Sequence, residues 1–138
     1  MRLDDASVVA DLTTQLGYPV AAGELASRMS EVLGSADAAL LVAVDENDTV
    51  VGWVHVERLH ILERPPTANI DGLVVDEGVR SAGIGAALLA AAEAWAVTRG
   101  IGAMQVRSRT TRERAHRFYE REGYRRMKTS YVFEKPLR

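Results

Sequence analysis

A chain of 138 residues with 47% apolar, 26% charged and 6% aromatic content has the size and composition of one compact domain, expected to span residues 1–138. Seventeen Lys and Arg against nineteen Asp and Glu give a net charge of -2, which argues against a nucleic-acid partner bound by bulk phosphate neutralisation. The absence of cysteine removes disulfide frameworks, thiolate zinc sites and thiol nucleophiles, so any catalysis uses oxygen, nitrogen, backbone or cofactor chemistry.

Met1 to Asp5 reaches acidic residues before any apolar stretch, so no targeting segment is expected and the chain reads as cytoplasmic. The longest apolar run, Ala86 to Ala92, is far too short for a membrane span, and no membrane partner is expected. Val8, Val9, Leu12 and Leu16 recur at helical spacing and predict a helix from Asp5 to Leu16, stopped by Gly17-Tyr18-Pro19. A second helix is predicted from Glu24 to Leu33. Ala38 to Val44 and Val50 to Arg58 read as the two arms of a hairpin around the turn residues Asp45 to Asp48. Strict alternation in the second arm places Val50, Gly52, Val54, Val56 and Arg58 on one face and Val51, Trp53, His55 and Glu57 on the other.

Pro65-Pro66 marks Leu62 to Thr67 as a loop, and Asn69 to Val75 as the next strand. A polar turn from Asp76 to Ser81 leads to a helix from Gly83 to Arg99, capped by Gly100. Met104 to Ser108 is predicted as a strand, Thr111 to Glu122 as a helix stopped by Gly123, and Ser130 to Lys135 as a final strand. Alternating strands and helices in the second half require a crossover, so the fold class is α/β, a mixed sheet with helices against its faces.

The chemistry concentrates between Leu73 and Leu89, where a strand, a polar turn and a glycine-punctuated helix start follow one another. The first turn of a helix has unpartnered N–H groups and the positive end of the macrodipole, a setting for a pyrophosphate. A P-loop is excluded by the lack of Gly-Lys-Ser/Thr. A dinucleotide fingerprint fails because Leu88 stands where Gly or Ala is needed. The pattern Arg80-x-x-Gly83-x-Gly85 after Val74-Val75-Asp76 resembles the acyl-CoA signature of the GCN5-related N-acetyltransferase (GNAT) superfamily. Ala115-x-x-Phe118-Tyr119-x-x-x-Gly123-Tyr124 resembles that family's later helix.

The resemblance implies a GNAT-like fold with a mixed, mostly antiparallel sheet, and an enzyme that transfers acetyl from acetyl-CoA to a primary amine by direct attack in a ternary complex. By the same resemblance, backbone N–H groups of Arg80, Ser81, Ala82, Gly83, Ile84, Gly85 and Ala86 hold the pyrophosphate. Leu73, Val74 and Val75 run beside the pantetheine arm, Leu73 N–H polarises the thioester carbonyl, and Tyr119 protonates the departing thiolate. The sequence departs from the common pattern at Asn69, where many relatives carry Glu. Asp71 is the nearest substitute base, with Glu57, His55 and His60 behind it. Arg112 replaces a frequent Asn, and Ser108 is the alternative pantetheine contact.

The basic residues from Arg107 to Lys128 read mainly as a solvated face balanced by Glu113, Glu120 and Glu122. No His, Asp or Glu cluster has metal-ligand spacing along the chain, so no metal is expected. A homodimer, through an apolar face near Trp53 or Trp95, is compatible with the resemblance. Two other classes compete with the enzyme: a non-catalytic acyl-CoA-binding sensor module, and an interaction domain in which Gly83 and Gly85 serve packing alone.

Overall fold

A computed structural model describes residues 1–80 and 82–138. They form two compact units, residues 1–107 and 108–138. The first unit opens with a single 3-10 turn, Leu3–Asp5, followed by helices α1 (Ala6–Leu16) and α2 (Ala22–Leu33). Then come strands β1 (Ala38–Val44), β2 (Val50–Ile61) and β3 (Arg64–Val75), helix α3 (Ile84–Thr98) and the short strand β4 (Met104–Val106). The sheet order is β1-β2-β3-β4; the first two pairings are antiparallel and β3 with β4 is parallel. The mixed sheet expected from the element order is therefore present.

Local chemistry explains the hairpin between β1 and β2. The Asp45 carboxylate accepts from the N–H groups of Asn47 and Thr49, both at 2.9 Å, and closes the turn. Helix α3, rich in alanine and leucine, packs against β1, β2 and β3. Its Leu88, Leu89, Ala92 and Ala96 are buried, as are Val54 and Val56 of β2, and this layer forms one part of the core. A second cluster joins Leu12 of α1 to Val50 and Val74, with Trp53 packed against it.

Three expectations are corrected. Strict alternation along β2 fails, because Ala43 pairs with Gly52 and Val44 with Val50, leaving Val51 as an extra bulge residue. The bulge moves Val50 onto the side of Trp53 and Val74. Pro65 and Pro66 lie within β3 instead of a loop; they sit in the irregular part of its ladder, between the pairs Leu59–Thr67 and Ile61–Arg64, where no donor is demanded of them.

The final strand from Ser130 to Lys135 does not form. A strand exists through its ladder, and the backbone hydrogen bonds recorded in the second unit end with Tyr124 N–H to Tyr119 O. Tyr131, Val132 and Phe133 remain 89%, 87% and 93% exposed, so strand-forming composition alone does not make a strand there. The second unit is organised by α4 (Glu113–Arg121), closed by Gly123 at φ +95° with Tyr124 N–H on Tyr119 O at 2.9 Å.

Candidate active site

The site begins with the way β3 outruns its parallel neighbour. The β4 ladder covers only Ala68, Ile70 and the residue between them, so from Asp71 to Val75 the outer edge of β3 has no strand paired to it among the described residues. A second bulge lies at that point: Ile70 pairs with Val56 and Gly72 with His55, which leaves Asp71 as the extra residue. Backbone parity changes across it. Ala68 N–H donates outward to Ala103 O of β4 at 2.9 Å, whereas beyond the bulge Asp76 N–H donates inward to Val51 O of β2 at 2.8 Å. Backbone groups alternate sides along a strand, so Leu73 and Val75 turn their N–H and C=O to the open edge while Gly72 and Val74 address β2. Val74 also commits its side chain to the core.

Strict alternation along β3 puts Asn69, Asp71 and Leu73 on one face, and the bulge moves Leu73 to the other. Asn69 pairs with Glu57 and Leu73 with Val54, which belong to opposite faces of β2. Asp71 stays on the face of Asn69, Glu57 and His55. His55 Nε2 lies 3.7 Å from Asp71 Oδ2, and one donor atom from each of His55, Glu57 and Asp71 lies within 4.8 Å of the others. The spacing along the chain hides this group, because it is assembled across two strands.

Electrostatics distinguish the three side chains. Partial burial, then the neighbouring Glu57 charge and a hydrogen bond with Glu57, push the Asp71 carboxyl up to about 7 from its ordinary value of 3.8, against an opposing pull from Arg107. Its side chain keeps 32% of its surface in solvent, so it can exchange protons with an incoming group. Burial pushes the His55 imidazole below its usual value, with Glu57 acting in the opposite direction. Asn69 is buried and its Oδ1 accepts from Thr67 Oγ1 at 3.1 Å, which makes it part of the strand's internal bonding. His60 is exposed.

Beyond β3 the chain turns through a 3-10 segment, Glu77–Val79, and Gly83 at φ +80° starts α3. A Cβ at Gly83 would meet nothing within 4 Å, so packing does not explain this glycine; the left-handed backbone does. The first helical hydrogen bond of α3 runs from Ala87 N–H to Gly83 O, and the N-cap Gly83 has no side chain to cap it. The N–H groups of Ile84, Gly85 and Ala86 thus lack intrahelical partners. Arg80 folds its Nε onto Val75 O at 3.3 Å, at the outward edge of β3. Ala82 is exposed, and the expected role of Ser81 lies outside the described residues.

In the second unit, Tyr119 is half-buried in an aromatic cluster, edge-on to Phe118 at 5.1 Å and to Tyr124 at 5.8 Å. Burial raises its phenol above the usual value, with Arg112 opposing, so the hydroxyl stays protonated at neutral pH. Ser108 is exposed at the start of the same unit.

The sequence model of the acetyltransferase (GNAT) family matches residues 10–124. The chain belongs to that family. Among solved structures it is similar to a tetramutant of the BH1408 protein from Bacillus halodurans, at 25% identity and a TM-score of 0.83, covering 99% of this chain and 97% of that one. It is similar in fold to a putative acetyltransferase from Agrobacterium tumefaciens at 21% identity and TM-score 0.85, covering 98% and 96% of the two chains. An aminoglycoside antibiotic 6'-N-acetyltransferase from Acinetobacter baumannii shares the fold at 16% identity and TM-score 0.86, covering 99% and 95%. None of the curated protein sequences compared matches the chain.

Two features of this GNAT chain escape its linear sequence. Gln15 of α1 spans the turn after β3: its Nε2 donates to Asp76 Oδ1 at 3.2 Å and its Oε1 accepts from Glu77 N–H at 3.0 Å. Nothing local signals a bond that crosses 61 residues of chain. The second is the pairing of Glu57 with Asn69, which puts a carboxylate directly across the strand from the position where many relatives carry one. Among the described residues no helix is long and apolar enough to cross a membrane.

Proposed function

We propose that this GNAT acetyltransferase moves an acetyl group from acetyl-CoA to a primary amine by direct attack in a ternary complex. The observation that carries the reading is the open edge of β3, with Leu73 and Val75 turned outward and, after one turn, a helix started by a glycine. An extended pantetheine arm offers amide groups to such an edge, as a missing strand would. The unpartnered N–H groups at the start of α3 suit its pyrophosphate. Solved acetyltransferases of this fold in complex with CoA support acetyl-CoA as the co-substrate.

Each chemical role then falls to a separate residue. The amine nitrogen attacks the thioester carbonyl, whose oxygen takes a hydrogen bond from Leu73 N–H as negative charge develops. Asp71, directly or through water, takes the proton lost by the amine; its raised pKa of about 7 suits a base at neutral pH. The C–S bond breaks and Tyr119 gives its proton to the thiolate. Glu57 beside Asp71 favours a cationic acceptor, in keeping with the aminoglycoside acetyltransferases that share the fold. The family match crosses both compact units, which supports one acetyltransferase domain.

Calorimetric titration with acetyl-CoA and CoA, followed by a free-thiol assay across a panel of amines that includes aminoglycosides, tests this reading. Micromolar binding with amine-dependent thiol release is the expected result. Binding without release from any amine favours the acyl-CoA sensor, and no binding returns the glycines to a purely structural role.

A further inference from the structure

The group formed by His55, Glu57 and Asp71 has a donor chemistry that proton transfer does not exhaust. We propose that it is a binding site for a divalent zinc-class ion, held by His55 Nε2 and one carboxylate oxygen each from Glu57 and Asp71. Three observations carry this inference. The three donor atoms come from two adjacent strands and already lie within 4.8 Å of one another. His55 Nε2 has no solvent exposure and makes no hydrogen bond, although a buried ring nitrogen ordinarily has a partner. The Asp71 carboxylate lies on the same face of the sheet and comes to 3.7 Å from that nitrogen.

The distances suit a small ion. Zinc takes nitrogen at about 2.0–2.1 Å and carboxylate oxygen at about 2.0–2.2 Å, so donors around a tetrahedral ion stand about 3.3 Å apart. An ion there would draw the three atoms together from their present separations of up to 4.8 Å. One imidazole with two carboxylates selects zinc and its first-row neighbours over magnesium or calcium, which take oxygen ligands. Three protein ligands leave a fourth position to water or an amine. Binding is independent of the proposed acetyl transfer; its consequence, inhibition by blocking Asp71 as a base, rests on that reading.

The chain has three histidines and no cysteine, which makes the test specific. Untagged protein is titrated with Zn²⁺ by calorimetry and with Co²⁺ by visible absorption, beside His55→Gln, Glu57→Gln, Asp71→Asn and the off-site variants His60→Gln and His116→Gln. Circular dichroism verifies that each is folded. One ion per chain, a ligand-field band from Co²⁺, and a loss of affinity of about tenfold or more in each of the three site variants only are expected. Failure of Zn²⁺ to bind the wild-type chain, or binding that survives His55→Gln and is lost in His60→Gln or His116→Gln, overturns the site. Zinc that binds as expected without slowing acetyl transfer leaves the metal site standing and removes Asp71 as the base.

Discussion

Asp71 owes its chemistry to the company of His55 and Glu57 on the neighbouring strand. Partial burial and Glu57 raise its pKa to about 7, so the fraction able to accept a proton grows as pH rises through neutrality. Acetyl transfer by the wild-type chain is expected to climb through that range and level off above it. Asp71→Asn should lower kcat by about 100-fold and flatten the rise, because general-base contributions are of about that size; a pH–rate profile that keeps its shape in the variant excludes Asp71 as the base. Tyr119→Phe separates the acid from the base: turnover should drop while acetyl-CoA affinity measured by calorimetry stays within about twofold, since only proton delivery is lost. Gly72 serves the same region by leaving room. A Cβ there would lie 2.6 Å from Trp53 Cη2, so Gly72→Ala should cost about 1–3 kcal/mol in urea unfolding by overpacking the sheet face.

At the scale of the elements, what sequence makes legible is periodicity, and what it hides is register. The bounds of β1 match the expected Ala38 to Val44, and α1, α2, α3 and α4 form where the apolar spacing and the glycine stops place them. Both bulges were invisible, since Val51 and Asp71 look like ordinary strand residues until a partner strand fixes what stands opposite them. Consequently the β3 segment was legible as a strand, while the shared face of His55, Glu57 and Asp71 was legible only as a set of nearby candidates. Ser130 to Lys135 shows the opposite failure, a strand composition without the ladder that makes a strand. Gln15 belongs to the same class of hidden information. By bonding both Asp76 and Glu77 it ties α1 to the turn that precedes α3. Gln15→Ala should therefore raise the KM for acetyl-CoA several-fold while shifting stability by only about 1 kcal/mol, the usual net worth of such bonds. An unchanged KM with a large loss of stability would instead make Gln15 a purely structural clasp.

For the whole molecule, the same carboxyl that suits the reaction works against the fold as pH rises. The folded-state pKa of Asp71, about 7, lies above its ordinary value of 3.8, so between these values the folded chain holds more of this proton than the unfolded chain does. Unfolding free energy then decreases with rising pH across that window, and the contribution is constant above it. His55 acts in the other direction, because its lowered pKa favours the neutral ring and makes the folded state gain stability as pH rises toward 6.5. The two slopes oppose each other just below pH 6.5, which leaves Asp71 to dominate between about 6.5 and 7. Asp71→Asn removes only the carboxyl's part. Chemical denaturation of wild type and variant at pH 5 and pH 8 should show the variant gaining stability relative to wild type at the higher pH, and a difference independent of pH would mean that the Asp71 proton is not shared with the fold. Acetyl-CoA supplies the complementary check, since a ligand bound only by the folded chain at 100 times its Kd adds about 2.7 kcal/mol. If binding also requires a carboxylate at Asp71 to receive the amine but not to hold CoA, that increment should be the same in wild type and Asp71→Asn at both pH values, which isolates the open edge of β3 and the start of α3 as the CoA-binding part of the molecule.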